Sequence, residues 1–526
     1  MTAPGVPGPA HGARAGSGTS WVVAVDCSTT AAKAVVVDTA GQVVAAASQP
    51  LTTQNPQPGF HEQDADAWFE ATVAAVHAAV EDLAPAERSR VGALAITHQR
   101  ESFVLLDGEG KPLRPAVLWV DSRAHEQIAT LGARPLSGGR SVHDVSGKPP
   151  DTTPAVYKIA WLAEHEPQVV HAAAHVADVQ AYLALRLTGH LATSHASADT
   201  LGLFDLARLD WSPELVEAVG LRPEQLPGLV AGGEVIGELL PDVASDLGLP
   251  GPVPLVAGIG DGQSAGLALG VEEPGVAYLN LGTSMVCGVS SDVYITSPAF
   301  RTLAGVRPGT YVLETVLNAA AYVASWTARF AGSDVTTMEA EAAQVPPGAE
   351  GLLALPYWNA AQTPHWDALA RGAVVGWHGR HTPAHLYRAV LEGVALELRL
   401  QLEALEKATG SPVREIRAVG GGARSALWAQ IVADVTGRTV RVCSDGEVSA
   451  AGAAIQAHEH LAGSGDAPGR PGDAPAGARD AWPFVATGHD VVPEPAATAR
   501  YGAVFEAYRG LYPALKETFA RLATAG

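Results

Sequence analysis

The chain has 526 residues, of which 47% are hydrophobic and 17% charged, and a formal net charge of −21. A single core rarely grows past ~250–300 residues, so the length predicts two or more domains, and the acidic balance excludes nucleic acid or an anionic membrane as the main partner. Cys27, Cys287 and Cys443 form no C-x-x-C pair, which excludes a disulfide framework or zinc site and points to a reducing cytoplasm. There is no run of 18 apolar residues and no signal-peptide core.

Residues 1–19 are rich in Gly, Pro, Ala and Ser without periodicity and are expected to be a disordered tail. Trp21 to Asp26, Lys33 to Asp38 and Val43 to Ala47 then read as a three-stranded antiparallel meander. Its first turn carries Asp26, Ser28, Thr29 and Thr30. Such residues suit an ordinary hairpin. They equally suit a phosphate-binding one, with backbone N–H groups and hydroxyls donating to phosphate oxygens, Lys33 adding charge and Asp26 holding Mg²⁺ through water.

Residues 62–83 read as an amphipathic helix with an acidic first turn. The strand Gly92 to Thr97 runs into His98, Gln99, Arg100, Glu101 and Ser102, and Phe103 to Leu106 is a further apolar run. Arg114 to Trp119 is read as a strand ending in the polar cluster Asp121 and Arg123. Arg100 and Glu101 pair a donor fork with an acceptor, which suits a diol or polyol, and Trp119 offers an apolar face to sugar C–H groups; a structural ion pair and a core tryptophan are the plain alternatives. Residues 141–155 are expected to be loop, 156–165 and 178–187 helices, and the hydroxyl-rich 188–200 a loop or lid edge. A short helix near Trp211 and a Pro-bounded connection fill 211–230.

Pro254 to Gly270 reads as a buried strand, a glycine turn and a small-residue helix, with Asp261 at the turn. Ligands of open α/β sheets collect at such a place. Asp261 could be a helix N-cap. A dinucleotide-binding turn would need a third glycine where Gln263 stands. The third reading is a general base aimed at a substrate hydroxyl, and the surrounding motifs favour it.

Gly275 to Ser290 repeats the first meander's layout, with Gly282, Thr283 and Ser284 in the turn. This weak duplication, about 250 residues apart, suggests a nucleotide gripped from both sides of a cleft. Helices are expected at 315–331 and 384–408. Ile416 to Trp428 reads as a strand, the turn Gly420, Gly421 and Gly422, and a helix. Residues 437–442 and 446–455 suggest a last strand and helix, 463–480 a Pro/Gly-rich flexible insertion, and 499–523 a terminal helix.

Neither a Walker-type loop nor the protein-kinase signature set is present. An ordered series of motifs is: Asp26-x-Ser-Thr-Thr with Lys33; Glu62-Gln-Asp; Gln99-Arg-Glu; Arg114-Pro-Ala-x-x-Trp119-x-Asp121-x-Arg123; Gly260-Asp261-Gly; Leu281-Gly-Thr-Ser; Thr363-Pro-His365; and Gly420-Gly-Gly-Ala-Arg-Ser-x-x-Trp428. Over about residues 20–523 the chain thereby resembles the FGGY carbohydrate kinases of the actin-like ATPase superfamily. The resemblance implies an α/β fold of two actin-like (ribonuclease H-like) domains, at 20–268 and 269–526, with mixed sheets flanked by helices and the active-site cleft between them. It implies transfer of the γ-phosphate of MgATP to a hydroxyl of a small carbohydrate, either a ketopentose such as D-xylulose or a linear polyol of the glycerol or erythritol type. A nucleotide-dependent binding protein of the actin or chaperone kind is the different-class alternative.

Residue by residue, the resemblance implies Asp261 as catalytic base, and Gln99, Arg100, Glu101, Trp119 and Gly262 around the acceptor. Asp26, Thr29, Thr30 and Lys33 match the first phosphate loop, with Asp26 toward Mg²⁺. Gly282 and Thr283 match the second, and Gly421, Gly422 and Ala426 the adenosine end of ATP. The implied partner is a small sugar or polyol, with neither nucleic acid nor membrane; a homodimer is compatible.

Overall fold

The structure, a computed structural model, describes residues 21–443, 447–463 and 488–525. The tail expected at 1–19 and all but Gly463 of the insertion expected at 463–480 lie outside the described residues.

β-Branched runs and short turns build the first sheet. Its strands are β1 (Trp21–Cys27), β2 (Ala31–Val37), β3 (Val43–Pro50), β4 (Val91–His98), β5 (Val235–Glu238) and β6 (Pro254–Val256). Their order is β5-β6-β4-β1-β2-β3. The meander β1–β3 is antiparallel, β1, β4 and β6 run parallel, and β5 closes the edge antiparallel. Val23, Val25, Leu94 and Ile96 point into a core shared with Trp68, Val76 and Val80 of helix α1 (Ala65–Glu81).

The second sheet contains β7 (Val276–Leu281), β8 (Met285–Ser291), β9 (Arg301–Ala304), β10 (Tyr311–Leu317), β11 (Glu415–Val419), β12 (Thr439–Val442) and β13 (His489–Val491). It is ordered β9-β10-β8-β7-β11-β12-β13. Without β9, every neighbour and every strand direction repeats the first sheet: β7, β8 and β10 form the meander, β11 and β12 run parallel to β7, and β13 closes the edge. The duplication legible in the two glycine- and hydroxyl-bearing hairpins is therefore a duplication of topology.

Further helices are α2 (Asp261–Ala268), α3 (Ala321–Phe330), α4 (Pro383–Thr409), α5 (Ala426–Thr436), α6 (Val448–Leu461) and α7 (Pro495–Ala525). The two that follow equivalent strands, α2 after β6 and α6 after β12, each cover the sheet of the other lobe. Ala450, Ala453, Ala454 and Ala457 of α6 pack on Val22, Ala24, Val35 and Ala93 of the first sheet. Their helical spacing gives α6 one flat small-residue stripe. Ala265, Leu267 and Ala268 of α2 pack with Tyr278, Val312 and Val419 of the second. No described helix is long and apolar enough to cross a membrane.

The structure departs from five expectations. The helix expected at 315–331 begins only at Ala321, because Thr315, Val316 and Leu317 complete β10 and pair with Cys287, Val286 and Met285; a β-branched run with a waiting strand partner overrides helical periodicity. The 188–200 segment is no lid edge. It forms a short strand and helical turns in which Thr193, Ser194, Ser197, Asp199 and Thr200 are buried. Residues 141–155 contain a helical turn, Val142–Ser146, capped by Ser141 and Asp144. The helix expected from 62 starts at Ala65, capped by Asp64, while Glu62 and Gln63 form a buried two-residue strand. That strand joins a small sheet with Phe103–Leu106, Ala116–Val117 and His175–Asp178, so the strand read at 114–119 shrinks to its middle.

Candidate active site

Asp261 is the first residue of α2, and Gly260 is its N-cap, so the N-cap reading of Asp261 fails by one position. Gly258 is what brings this turn close to β4: a Cβ there would lie 1.8 Å from the carbonyl oxygen of Ile96. The Asp261 side chain is 40% exposed. Its Oδ1 accepts from the N–H of Gly262 at 2.7 Å and lies 3.0 Å from Nε of Arg100. Gly260 and Gly262 leave room for that arginine; a Cβ on Gly262 would come within 2.8 Å of the guanidinium. Asp261 is thus a partly open carboxylate held in one orientation by a backbone amide and a buried cation.

Asp26 is the penultimate residue of β1 and stands opposite Lys33. Its Oδ1 is buried without a hydrogen-bond partner. Burial, then the nearby charge of Asp261, push its pKa up to about 7, with Lys33 opposing. Lys33 meanwhile pairs with Glu447 at the start of α6, at 3.1 Å. Three carboxylates, of Asp26, Asp261 and Glu447, thus face one lysine there, and an oxygen of Asp26 is left unpaired, a negative environment that a divalent cation would suit.

The hydroxyl of Thr29 donates to Oε1 of Gln99 at 3.1 Å and accepts from Nε1 of Trp119 at 2.9 Å. Gln63 donates to the carbonyl of Thr29 at 2.7 Å, and Gln99 donates to Oε1 of Gln63 at 3.3 Å. Ser102 bridges Gln99 and the N–H of Trp119. The β1–β2 hairpin and two of the residues expected around the acceptor, Gln99 and Trp119, are therefore one hydrogen-bonded unit. Thr30 stands exposed at its rim.

Arg100 and Glu101 do not pair with each other. Nη1 of Arg100 reaches Glu314 at 3.1 Å, and Oε1 of Glu101 accepts from Arg301 at 2.9 Å. Glu101 has φ 57°, a left-handed conformation uncommon for a residue with a Cβ. In the second lobe, Gly282 and Thr283 form the β7–β8 turn, and their carbonyls accept from Ala321 and Ala320 at the head of α3. Gly422 donates to the carbonyl of Leu281 at 2.8 Å, which sets the 420–422 turn against the Gly282 turn. Gly422 is buried there, whereas Gly421 and Ala426 are exposed.

The N-terminal domain of the FGGY family of carbohydrate kinases matches residues 21–268, and the C-terminal domain of that family matches residues 277–458. The xylulose kinase of Escherichia coli (strain K12) is 34% identical over 432 residues, covering 82% of this chain and 87% of that one. The chain belongs to the FGGY family of carbohydrate kinases. A gluconokinase of Bacillus subtilis (strain 168) is 27% identical over 450 residues, covering 83% and 87%. The crystal structure of a xylulose kinase from Rhodospirillum rubrum superposes with a TM-score of 0.86 at 29% identity, covering 95% of this chain and all of that one.

This FGGY kinase is an ATP-dependent sugar kinase with the two-lobed α/β fold its motifs implied, and ATP is its substrate. The fold brings Asp26, Lys33 and Asp261 into one electrostatic neighbourhood, and Thr29, Gln99 and Trp119 into hydrogen-bond contact. It also sets Gly282 beside Gly422. The sequence reading missed Gln63, Ser102, Arg301, Glu314 and Glu447. Gln63 lies inside the Glu62-Gln-Asp motif, where the acidic run suggests a helix start rather than the buried strand that forms. Arg301 and Glu314 sit on strands about 200 positions from their partners, and no local pattern marks them.

Proposed function

We propose that this kinase transfers the γ-phosphate of ATP to a hydroxyl of a five-carbon ketose, D-xylulose being the leading acceptor. The observation that carries this reading is the partly open Asp261 carboxylate, oriented by Gly262 N–H and Arg100 Nε, at the junction of the phosphate hairpin and the Gln99–Trp119 unit. The similarity to xylulose kinases over most of the chain supports the acceptor. A linear polyol is the second reading; the sequence pair Arg100 and Glu101 suggests it, but in the fold these two side chains turn to Glu314 and Arg301.

Asp261 takes the proton of the attacking hydroxyl while its oxygen approaches the γ-phosphorus in line. General-base help of this kind contributes typically ~10²–10⁴ in rate; positioning and charge neutralisation supply most of the rest. Gln99 and Trp119 orient the acceptor. Thr29, Thr30 and Lys33 take phosphate oxygens from one side, Gly282 and Thr283 from the other, and Gly421, Gly422 and Ala426 hold the adenosine end. Asp26 would hold a magnesium ion through water, its buried Oδ1 being free for that purpose. The chemistry such an ion supplies is neutralisation of phosphate charge.

The test is ADP release over a panel of ketoses and polyols. D-Xylulose should give the highest kcat/KM, and a panel without any stimulating acceptor would sink the reading. Asp261→Asn should fold and bind ATP while losing at least ~10²-fold in turnover. Retention of more than about a tenth of native turnover would exclude Asp261 as the base.

A further inference from the structure

Five charged side chains from both lobes form one alternating series. Glu314, on β10, is fully buried. Its carboxylate meets Nη1 of Arg100 at 3.1 Å and Nε of Arg301 at 2.6 Å, and it accepts the hydroxyl of Tyr278. Burial alone would raise its pKa, but Arg100 and Arg301 outweigh burial and bring it down to about 2. Glu314 is therefore ionised at every working pH. Beyond it, Nε of Arg100 turns to Asp261 and Nη1 of Arg301 turns to Glu101. The order is Asp261, Arg100, Glu314, Arg301, Glu101: three carboxylates against two guanidiniums.

We propose that Glu314 is a positioning residue that sets the acceptor class: by holding Arg100 and Arg301 in neutralised pairs, it makes the site at the exposed edge of Asp261 take an uncharged ketose or polyol and reject an aldonate of the same carbon length. The inference rests on the kinase reading of that site. A guanidinium shared between two protein carboxylates has little attraction left for a third. An acceptor carboxylate arriving there meets the open carboxylate of Asp261, with Arg100 already paired to Glu314 behind it, where like charges repel strongly; the buried Lys148 and Lys158 lie toward Glu101, Lys148 held by Asp199 and Lys158 by the carbonyls of Leu118 and Trp119. A neutral hydroxylated acceptor meets no such penalty and can hydrogen-bond to the exposed edge of Asp261. Removing the charge of Glu314 leaves two cations against two anions and releases the donors of Arg100 and Arg301 that point at it.

The experiment compares the best neutral acceptor of the panel with the aldonate of equal length, for the native enzyme, Glu314→Gln and Glu314→Asp. In Glu314→Gln the ratio of kcat/KM, aldonate over neutral acceptor, should rise at least about tenfold, a 1.4 kcal/mol change in preference. The KM for ATP should stay within about twofold, which a general loosening of the fold would not spare. Glu314→Asp keeps the charge and should keep the native ratio. An unmoved ratio in the Gln variant, or an equal shift in the Asp variant, overturns the inference. If the Gln variant does not fold, the native enzyme decides. The aldonate should not compete with the neutral acceptor at concentrations near the latter's KM, and competition of equal strength overturns the inference. Phosphorylation of no acceptor by the native enzyme would instead bring down the kinase reading, and the inference with it.

Discussion

At Thr29 one hydroxyl ties the hairpin proposed to hold phosphate to the residues proposed to hold the acceptor. It lies in the phosphate hairpin, yet its proton goes to Gln99 and its lone pair to the indole N–H of Trp119. A hydroxyl whose donor and acceptor roles are both fixed presents the remaining lone pair in one direction. Trp119→Phe keeps the ring and removes the N–H. A net hydrogen bond of about 1 kcal/mol corresponds to a several-fold effect, so the KM for ATP should rise about fivefold although residue 119 is expected on the sugar side. Initial-rate kinetics with ATP varied at saturating acceptor would check this; an unchanged ATP KM would mean the Thr29 contact is incidental. Residues of this kind divide the site into legible and illegible parts. Asp26, Thr29 and Asp261 were readable because each sits in a short local pattern, a hairpin or a strand–turn–helix, whose chemistry is written within ten positions. Glu314 reads as one more polar residue in a buried strand; its meaning comes from Arg100, 214 positions earlier, and no periodicity reports that distance.

At the scale of elements, the long helix α4 was legible from its Leu386–Val390–Leu398 periodicity, and the first meander from its β-branched runs. The end of β10 was not, since a run such as Thr315 to Leu317 is compatible with either state until its partner strand is known. Helix α4 also carries a cost that its apolar pattern hides. Glu397 lies fully buried among the core residues that α4 shares with α7. It accepts from the hydroxyls of Tyr357, at 3.0 Å, and Tyr508, while its Oε1 has no partner. Burial raises its pKa to about 7, with the tyrosines opposing. The folded value exceeds the unfolded value near 4.5, so the folded state binds this proton more tightly. The group therefore weakens the fold as pH rises from about 4.5 to 7, by an amount that levels off above 7 at roughly 3 kcal/mol. Glu397→Gln keeps the acceptor and cannot ionise. Its thermal midpoint should exceed the native one at pH 8, with the gap closing as pH falls toward 4.5. A gap independent of pH, measured by calorimetry or circular dichroism, would contradict the burial argument.

The whole molecule is two copies of one sheet topology that have exchanged a helix. Because α2 follows β6 yet packs on the second sheet, and α6 follows β12 yet packs on the first, the two lobes are joined where these helices touch. They touch closely: a Cβ on Gly452 of α6 would lie 2.0 Å from the carbonyl oxygen of Ser264 on α2, and Ser264 donates to the carbonyl of Ser449 at 2.7 Å. Asp261 starts α2 and Glu447 immediately precedes α6, so both the candidate base and the partner of Lys33 ride on this pair. A rotation of one lobe on the other, pivoting at this pair, would bring the Gly282 hairpin toward the β1–β2 hairpin and exclude water from the reacting atoms. Gly452→Ala forces the helices apart, and overpacking of a close contact costs typically ~1–3 kcal/mol. The variant should unfold several degrees below the native enzyme. It should also close less: the radius of gyration from small-angle scattering should fall when native enzyme receives a non-hydrolysable ATP analogue with acceptor, and fall by less in the variant. A native radius unmoved by both ligands would remove closure from the mechanism. A variant that closes fully at lower stability would show that the helix pair joins the lobes without governing their motion.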